Sequence, residues 1–212
     1  MVRCPEIQQK ARQEIDSVVD RDRLPTVSDQ DKLPYVRSIL TETLRICPPL
    51  PTGKQCSSES SNRLKALAAP HCPIADDVYN GYFIPKGTTI IANIHHIFRD
   101  PDAFPNPDAF DPDRYNLLDS EMHKVIDVVF GFGRRRCPGA IFAERTVFAI
   151  IVTILATCYI VPQVDDDGIE IIPEFKLTPR IVVFPEEFKC KLVCRSEAAR
   201  ELLQNAQASP LV

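Results

Sequence analysis

The stretch FGFGRRRCPG, residues 130–139, holds the side chains of this protein that are best suited to chemistry. Cys137 follows three consecutive arginines and directly precedes a proline, a residue typical of the first turn of a helix. Unpaired N–H groups at a helix start and nearby guanidinium groups both favour the thiolate form of a cysteine. Gly131, Gly133 and Gly139 allow sharp turns and the close approach of something flat and bulky. The pattern therefore indicates an anionic sulfur beside a bulky partner.

Three roles are open for such a thiolate. A catalytic nucleophile would normally need a histidine partner, and the four histidines all stand elsewhere in the sequence. A zinc ligand would need three further ligands. Haem iron needs only one protein thiolate on its proximal face, and arginine can pair with the haem propionates. Thiolate ligation pushes electron density onto the haem iron.

The composition is that of an ordinary globular protein with a sizeable core. The chain has 212 residues, of which 44% are apolar and 25% are charged. Its net charge of −4 and pI near 5.6 argue against a general nucleic-acid binder. The eight cysteines include no CxxC pair, so reduced thiols are expected rather than a structural zinc site or a disulfide scaffold. The polar N-terminus resembles neither a signal peptide nor a membrane anchor.

Apolar residues recur at helical spacing in three segments, residues 5–20, 32–46 and 138–157. The second segment is expected to end at the sequence CPPLP, because proline cannot continue a helix. The third includes most of the apolar run Val147–Val161, which is shorter than the roughly 20 residues that cross a bilayer. This segment is therefore predicted to be a buried helix.

Short strands are predicted after residue 70. The stretch DDVYNGYFIPKGTTIIAN, residues 76–93, contains a hairpin turn at Asn80-Gly81, a dipeptide that favours positive φ. Residues 99–115 hold four prolines and five aspartates and predict a winding, ordered connection. Further strands are predicted near 159–163, 169–172, 180–184 and 188–194. The fold class that these elements indicate is mainly α with small β-sheets (α+β).

Two segments are predicted to lie outside the packed core. Residues 52–66 are rich in serine and charge and are expected to be a disordered insertion. We hypothesise that this insertion is a translated intron or a gene-model artefact, which sequencing of the mature transcript would decide. Residues 196–212 are expected to be a frayed tail.

The cysteine stretch resembles the signature of a known family. Phe130, Gly133, Arg135, Cys137 and Gly139 match the order and spacing of F-x-x-G-x-R-x-C-x-G, the haem-binding motif of the cytochrome P450 haem-thiolate monooxygenases. The resemblance implies a haem b cofactor with Cys137 as the axial ligand of its iron. It also implies that the other four matching residues contribute to the haem-binding site.

Two other stretches resemble elements of the same family. Glu42-Thr43-Leu44-Arg45 is similar to its E-x-x-R motif, and Pro112-Asp113-Arg114-Tyr115 is similar to P-E-R-F, with Asp for Glu and Tyr for Phe. The resemblance implies that Glu42, Arg45 and Arg114 form a buried ion cluster that fixes the meander below the haem. Pro70-His71 is similar to a P-H or P-R pair of fungal microsomal members, which implies that His71 contacts a haem propionate.

The resemblance identifies residues 1–195 as the C-terminal, haem-binding part of a cytochrome P450 domain. It implies a monooxygenase that inserts one oxygen atom into a small organic substrate, with NADPH electrons delivered by NADPH-cytochrome P450 reductase. Arg134 and Arg136 are candidates for meeting acidic groups of that reductase. The full-length family lies on the cytosolic face of the endoplasmic reticulum membrane, and the anchor helix of those members is not found in this sequence.

The sequence also departs from the family. It contains no A/G-G-x-D/E-T-T motif, so no oxygen-activating residue is assigned. We therefore expect a truncated monooxygenase that is itself inactive and exposes apolar surface along part of the run Val147–Val161. The competing hypothesis is a non-enzymatic remnant that cannot hold haem.

Overall fold

A computed structural model describes residues 1–50, 71–178 and 182–208 of the chain. The predicted 52–66 insertion lies outside the described residues. The described part is mainly helical with two small antiparallel sheets, which confirms the predicted fold class. The helices are α1 (Pro5–Val18), α2 (Pro34–Ile46), α3 (Ile94–Ile97), α4 (Asp119–Phe130), α5 (Ala140–Thr157) and α6 (Glu197–Ala208).

Both sheets are formed by neighbouring or near-neighbouring strands. In the first, β1 (Asp77–Tyr79) and β2 (Tyr82–Ile84) form a hairpin whose turn residues Asn80 and Gly81 have φ of 47° and 82°. The predicted hairpin turn is therefore confirmed. The second sheet has the order β4-β3-β5 and comprises β3 (Cys158–Val164), β4 (Glu170–Ile171) and β5 (Cys190–Cys194).

The main core forms where α1, α2 and α5 pack together. Each helix contributes apolar side chains at helical spacing, and α2 packs against α4 as well. The most buried members on the three helices are Ala11 and Ile15 of α1, Val36, Ile39 and Leu40 of α2, and Phe148, Val152 and Leu155 of α5, with Leu33 just before α2. A second buried cluster joins α3 and α4 to the 99–115 connection through Phe98, Tyr115, Met122 and Val125. This packing fixes α2 and α4, the helices that carry or lead to the residues of the site.

Residues 197–208 correct the expectation of a frayed tail. They form α6, in which the Ser196 hydroxyl accepts a hydrogen bond from the Ala199 N–H at 3.1 Å. Ser196 thus caps the helix, and Glu197 in the first turn suits the helix dipole. Ala199 is buried and anchors α6 against α5 and β5.

Helix α5 is only partly buried, which corrects the expectation of a buried helix and agrees with the expected exposure of part of the run Val147–Val161. It is long and apolar enough, by length and composition alone, to cross a membrane. One face packs in the main core, while Ile141, Phe142 and Ile150 on another face are more than half exposed. These exposed side chains border an open apolar groove of about 930 Å³ along α5. The apolar run Val147–Val161 extends past the end of α5 into β3. Within the described residues, α5 is packed against the core on one face and exposed on another.

Two further segments differ from the sequence expectations. Helix α4 was not predicted, because its charged residues interrupt the apolar spacing at Asp119, Glu121, Lys124 and Asp127. Of the predicted strand 180–184, residues 180 and 181 lie outside the described part, and residues 182–184 form no strand. An isolated antiparallel bridge instead joins Leu177 to Pro185.

Candidate functional site

The loop between α4 and α5 carries Cys137 and is held closed by backbone hydrogen bonds. The Gly131 N–H donates to the Asp127 carbonyl at 2.8 Å, and Gly131 has φ of 86°, a left-handed conformation that glycine adopts without strain. The Cys137 N–H donates to the Phe130 carbonyl at 2.8 Å. The two ends of the loop are thus joined immediately before the cysteine.

Cys137 lies just ahead of the long helix α5, which begins at Ala140, two residues after the predicted start at Pro138. The Ala140 N–H donates to the Cys137 carbonyl at 3.3 Å, and the Cys137 side chain is exposed. A Cβ added at Gly139 would lie 3.8 Å from the Cys137 Sγ, so this glycine keeps space open beside the sulfur. The N-terminal end of α5 favours an anionic group at this position.

The three arginines before Cys137 are all exposed, but they differ in their partners. The Arg136 Nη1 lies 3.1 Å from the Asp127 Oδ1 of α4. Among the described residues, Arg134 and Arg135 form no ion pair. Arg136 is therefore directed back onto α4, while its two neighbours are available to anionic groups outside the protein.

The residues at this loop fit the axial-ligand position of a haem better than a zinc site. No cluster of three or more His, Cys, Asp or Glu side chains suited to a metal ion occurs in the described part of the chain. A zinc ion would need such a cluster. A single accessible thiol at a helix start, with open space beside it and free guanidinium groups next to it, meets what haem requires.

Glu42 and Arg45 form the buried ion pair that the sequence motif predicted. Both side chains are 0% exposed, one helical turn apart on α2. Arg45 donates from Nε to Glu42 Oε2 and from Nη2 to Glu42 Oε1, both at 2.8 Å. This two-point geometry is the strong form of a carboxylate–guanidinium contact.

Arg45 also fixes the 99–115 connection through backbone carbonyls. Its Nη1 donates to the carbonyls of Phe98 and Pro107 at 2.8 Å each, and its Nη2 donates to the Ala109 carbonyl at 3.1 Å. The guanidinium carbon lies 5.4 Å from the centre of the Phe104 ring. With the two bonds to Glu42, all donor groups of this buried arginine are satisfied.

Arg114 completes the predicted cluster from the other side of Glu42. Its Nε lies 3.1 Å from Glu42 Oε1, and its side chain is 8% exposed. Its other nitrogens donate to the carbonyls of Pro105 and Ala109 at 2.8 and 3.1 Å. The structure thus brings the three predicted residues together and ties them to the connection that precedes α4.

Two further donors to Glu42 were not predicted. The Tyr115 hydroxyl donates to Glu42 Oε2 at 2.7 Å, and the Asp111 N–H donates to Glu42 Oε1 at 3.0 Å. The signal was in the sequence, because Tyr115 stands where the motif has phenylalanine and its hydroxyl needs a partner when buried. Glu42, Arg45, Arg114 and Tyr115 are called the Glu42 cluster below.

The hydrogen bonds at Glu42 decide its ionisation. Burial by itself raises the pKa of Glu42, but the hydrogen bonds from Arg45, Asp111 and Tyr115 outweigh burial and leave the pKa below its ordinary value. Burial, and then the neighbouring Glu42 charge, raise the pKa of Tyr115. Glu42 is therefore a carboxylate and Tyr115 a neutral donor across the physiological range.

His71 is placed on a short bridge away from the core. Its N–H donates to the Ile90 carbonyl at 2.9 Å, the Ile90 N–H donates back at 2.7 Å, and the side chain is exposed. Its predicted contact with a haem propionate stays a prediction.

The chain is similar to known proteins over most of its length. The Cytochrome P450 family matches residues 1–192. Cytochrome P450 monooxygenase 105 of Postia placenta is 47% identical over 206 residues, covering 97% of this chain and 37% of that protein. Cytochrome P450 monooxygenase claT of Ampulloclitocybe clavipes is 39% identical over 211 residues, covering 98% of this chain and 40% of that protein.

A solved structure shows the same likeness. The zebra fish cytochrome P450 with abiraterone superposes with a TM-score of 0.73 at 26% identity, covering 92% of this chain and 41% of that one. The chain thus spans between 37% and 41% of the length of these three proteins.

Proposed function

The chain belongs to the cytochrome P450 family, and we propose that it supplies the proximal haem-binding part of a monooxygenase acting on a small organic substrate. The observation that carries the proposal is the closed loop that presents the exposed Cys137 thiol at the start of α5. The reaction would insert one atom of dioxygen into the substrate. The family membership and the fit of this loop to a thiolate ligand support it.

In this proposal the cofactor is haem b, and Cys137 holds its iron. When bound, the haem supplies the redox chemistry on dioxygen, with electron density contributed by the thiolate. Arg135 and His71 are the candidates for the propionates, because both are exposed side chains that can donate to a carboxylate. Phe130, Gly133 and Gly139 would shape the loop around the sulfur.

The protein residues behind the loop would act by positioning. The Glu42 cluster fixes the 99–115 connection onto α2, and that connection leads directly into α4. The last residue of α4, Phe130, accepts the Cys137 N–H. A chain of packed elements therefore runs from the buried ions to the backbone of the ligand residue.

The proposed electron donor is NADPH-cytochrome P450 reductase, meeting the face around the cysteine loop on the cytosolic side of the endoplasmic reticulum membrane. Arg134 is the better of the two candidate contacts, because Arg136 is paired with Asp127. Such cations raise the association rate with an acidic partner more than they raise affinity.

The hypothesis of a non-enzymatic remnant is not favoured. A protein that cannot hold haem requires neither the satisfied buried ion cluster nor the closed ligand loop, and both are present among the described residues. The 212-residue polypeptide by itself is nevertheless expected to be inactive in NADPH-dependent turnover. Its sequence has no A/G-G-x-D/E-T-T motif, so no residue is assigned to oxygen activation. A haem held by these 212 residues alone would be exposed to water, which weakens electrostatic interactions in the site and permits side reactions.

Carbon-monoxide difference spectroscopy on purified, haem-supplied protein tests the proposal. We expect a red-shifted, thiolate-type Soret band that is abolished in Cys137→Ser, because a neutral hydroxyl is a far poorer iron ligand. Cys72→Ser is the matched control, since Cys72 is also exposed and lies outside the loop. A histidine-type band in the parent, or a thiolate band that survives Cys137→Ser, would refute the assignment.

A further inference from the structure

Two cysteines face each other across the second sheet. Cys158 is the first residue of β3, Cys194 is the last residue of β5, and the antiparallel register pairs them directly. Side chains of directly opposed residues in antiparallel strands lie on the same face of the sheet. Both thiols are free, Cys158 is 7% exposed, and Cys194 is partly exposed.

The hydrogen-bond pattern shows which kind of pair this is. At the neighbouring position of the two chains, where Thr157 stands opposite Arg195, the Arg195 N–H donates to the Thr157 carbonyl at 2.9 Å. Hydrogen-bonded and non-hydrogen-bonded pairs alternate along an antiparallel ladder, so Cys158 and Cys194 form a non-hydrogen-bonded pair. Such pairs are the closely spaced ones, with Cα atoms about 4.5 Å apart.

Ile160, two residues after Cys158 in β3, is also in a non-hydrogen-bonded position towards β5. The Ile160 N–H and carbonyl bond to the side chain of Gln8 at 2.8 and 3.0 Å, so they point away from β5. Pro162, two residues further, has no N–H to donate to the ladder. Cys158, Ile160 and Pro162 therefore share the non-hydrogen-bonded positions towards β5.

This spacing suits a disulfide between Cys158 and Cys194. Disulfide-bonded cysteines have Cα atoms roughly 4.4–6.8 Å apart, a range that includes the expected spacing of this pair. Cys190 offers no alternative partner for Cys194, because four residues of one strand span about 13 Å. Cys190 itself stands opposite Pro162, which carries no thiol.

We propose that Cys158 and Cys194 form a dithiol site that hydrogen peroxide oxidises to a cross-strand disulfide. The more accessible Cys194 thiol gives up its proton and its sulfur attacks the peroxide, so that an S–O bond forms and the O–O bond breaks; the released hydroxide takes up that proton and leaves as one water. The Cys158 sulfur then attacks the Cys194 sulfur, an S–S bond forms, and the S–O bond breaks; the leaving hydroxide takes up the Cys158 thiol proton and departs as a second water. Two thiols lose two electrons in total, and one peroxide molecule is reduced.

The bond would add a covalent link between two parts of the fold that are already joined by the pairing of β3 with β5 and by the packing of α6 against α5. Cys158 directly follows α5, and two residues separate Cys194 from the start of α6. A disulfide at this point ties the C-terminal end of the helix that begins after Cys137 to the last strand. Thiol reductants would reverse it, as expected for a modification in a reducing compartment.

Peptide mapping of the 212-residue protein tests the site. The protein is treated with hydrogen peroxide, remaining thiols are alkylated in denaturant, and the digest is analysed by mass spectrometry without reduction. We expect one major cross-linked peptide that joins Cys158 to Cys194, two hydrogen atoms lighter than the sum of its parts. Dithiothreitol added before alkylation should remove it.

Two variants make the result specific. Cys194→Ser should lose the cross-linked peptide entirely, whereas Cys190→Ser should retain it, because Cys190 is an exposed cysteine of the same strand with no opposed thiol. The proposal would be overturned if Cys158 of the peroxide-treated parent protein were recovered as the alkylated thiol while exposed cysteines of the same sample were oxidised. Linkage of Cys194 to any other cysteine would also overturn it. Neither outcome depends on the folding of a variant, since both are read in the parent protein.

Discussion

The Glu42 cluster and the Cys137 loop both hold charged groups, yet they are built in opposite ways. In the cluster every charge is buried, and every donor of Arg45 is matched by an acceptor from the same chain. In the loop the thiol and Arg134 and Arg135 are exposed, and the described residues offer the two arginines no carboxylate.

The difference separates positioning from chemistry. A buried ion pair of this kind contributes little net stability, but losing one partner leaves an uncompensated charge. It therefore specifies one arrangement of α2 and the 99–115 connection. The loop keeps its donors and its thiol open, which is what a site needs if a cofactor is to complete it. Four variants test this contrast.

Glu42→Ala should have the largest effect. It leaves Arg45 and Arg114 buried without their carboxylate, a change that typically lowers the free energy of unfolding by about 3–5 kcal/mol. Urea unfolding followed by circular dichroism measures it. Glu121→Ala is the matched control, because Glu121 pairs with Lys124 at the same i,i+3 spacing on an exposed surface and should cost under about 1 kcal/mol. Equal effects of the two changes would mean that burial does not distinguish the pairs.

Tyr115→Phe should have the next largest effect. It keeps the buried ring but removes the 2.7 Å hydrogen bond to the Glu42 carboxylate, and hydrogen bonds to charged groups contribute about 1.5–3 kcal/mol. The same unfolding measurement applies, with Tyr79→Phe on an exposed strand as the control. An unchanged unfolding midpoint would show that the other donors to Glu42 replace the hydroxyl.

The pH dependence of stability should carry the signature of Glu42. Its pKa is lowered in the folded protein, so its contribution is complete above the ordinary value of 4.5 and is lost as the pH falls through the lowered pKa. One proton changes the free energy of unfolding by at most about 1.4 kcal/mol per pH unit. Unfolding of the parent should therefore depend more steeply on pH below 4.5 than that of Glu42→Gln. Parallel pH profiles would contradict an ionised Glu42 in the folded state.

Asp127→Asn should have the smallest effect. The Asp127–Arg136 pair has side chains 40% and 45% exposed, and pairs of this kind contribute about 0.2–1 kcal/mol that salt screens further. The unfolding midpoint should move little, and the thiolate-type spectrum of haem-supplied protein should persist. Loss of that spectrum in this variant would show that the surface pair, and not the backbone bond from Cys137 to Phe130, holds the loop.

The parts of the site that sequence predicted are those in which residue type and spacing carry the chemistry. Two local patterns have few alternative uses: Cys137 next to a proline shortly before a helix, and Glu42 one turn before Arg45. The fold class and helices α1, α2 and α5 followed from apolar spacing for the same reason. Patterns of this range can be recognised before any tertiary contact is known.

The parts that sequence did not predict depend on distant contacts. Helix α4 is stabilised by packing of Met122, Val125 and Ile126 against residues far along the chain, which its interrupted apolar spacing does not reveal. The Tyr115 hydroxyl finds its acceptor 73 residues away. The exposed face of α5 likewise could not be separated from its buried face, because the run is apolar all around the helix.

The separation between Glu42 and Arg114 has a consequence for how this chain can change length. The contact closes a loop of 72 residues, and the entropy of closing a loop grows only as the logarithm of its length. Removing a stretch the size of residues 52–66 from that loop would change the closure free energy by about 0.2 kcal/mol. This is far below the several kcal/mol at stake in the ion contact. A segment between Glu42 and Arg114 in the sequence can therefore be added or deleted with almost no change in the free energy of closing their contact.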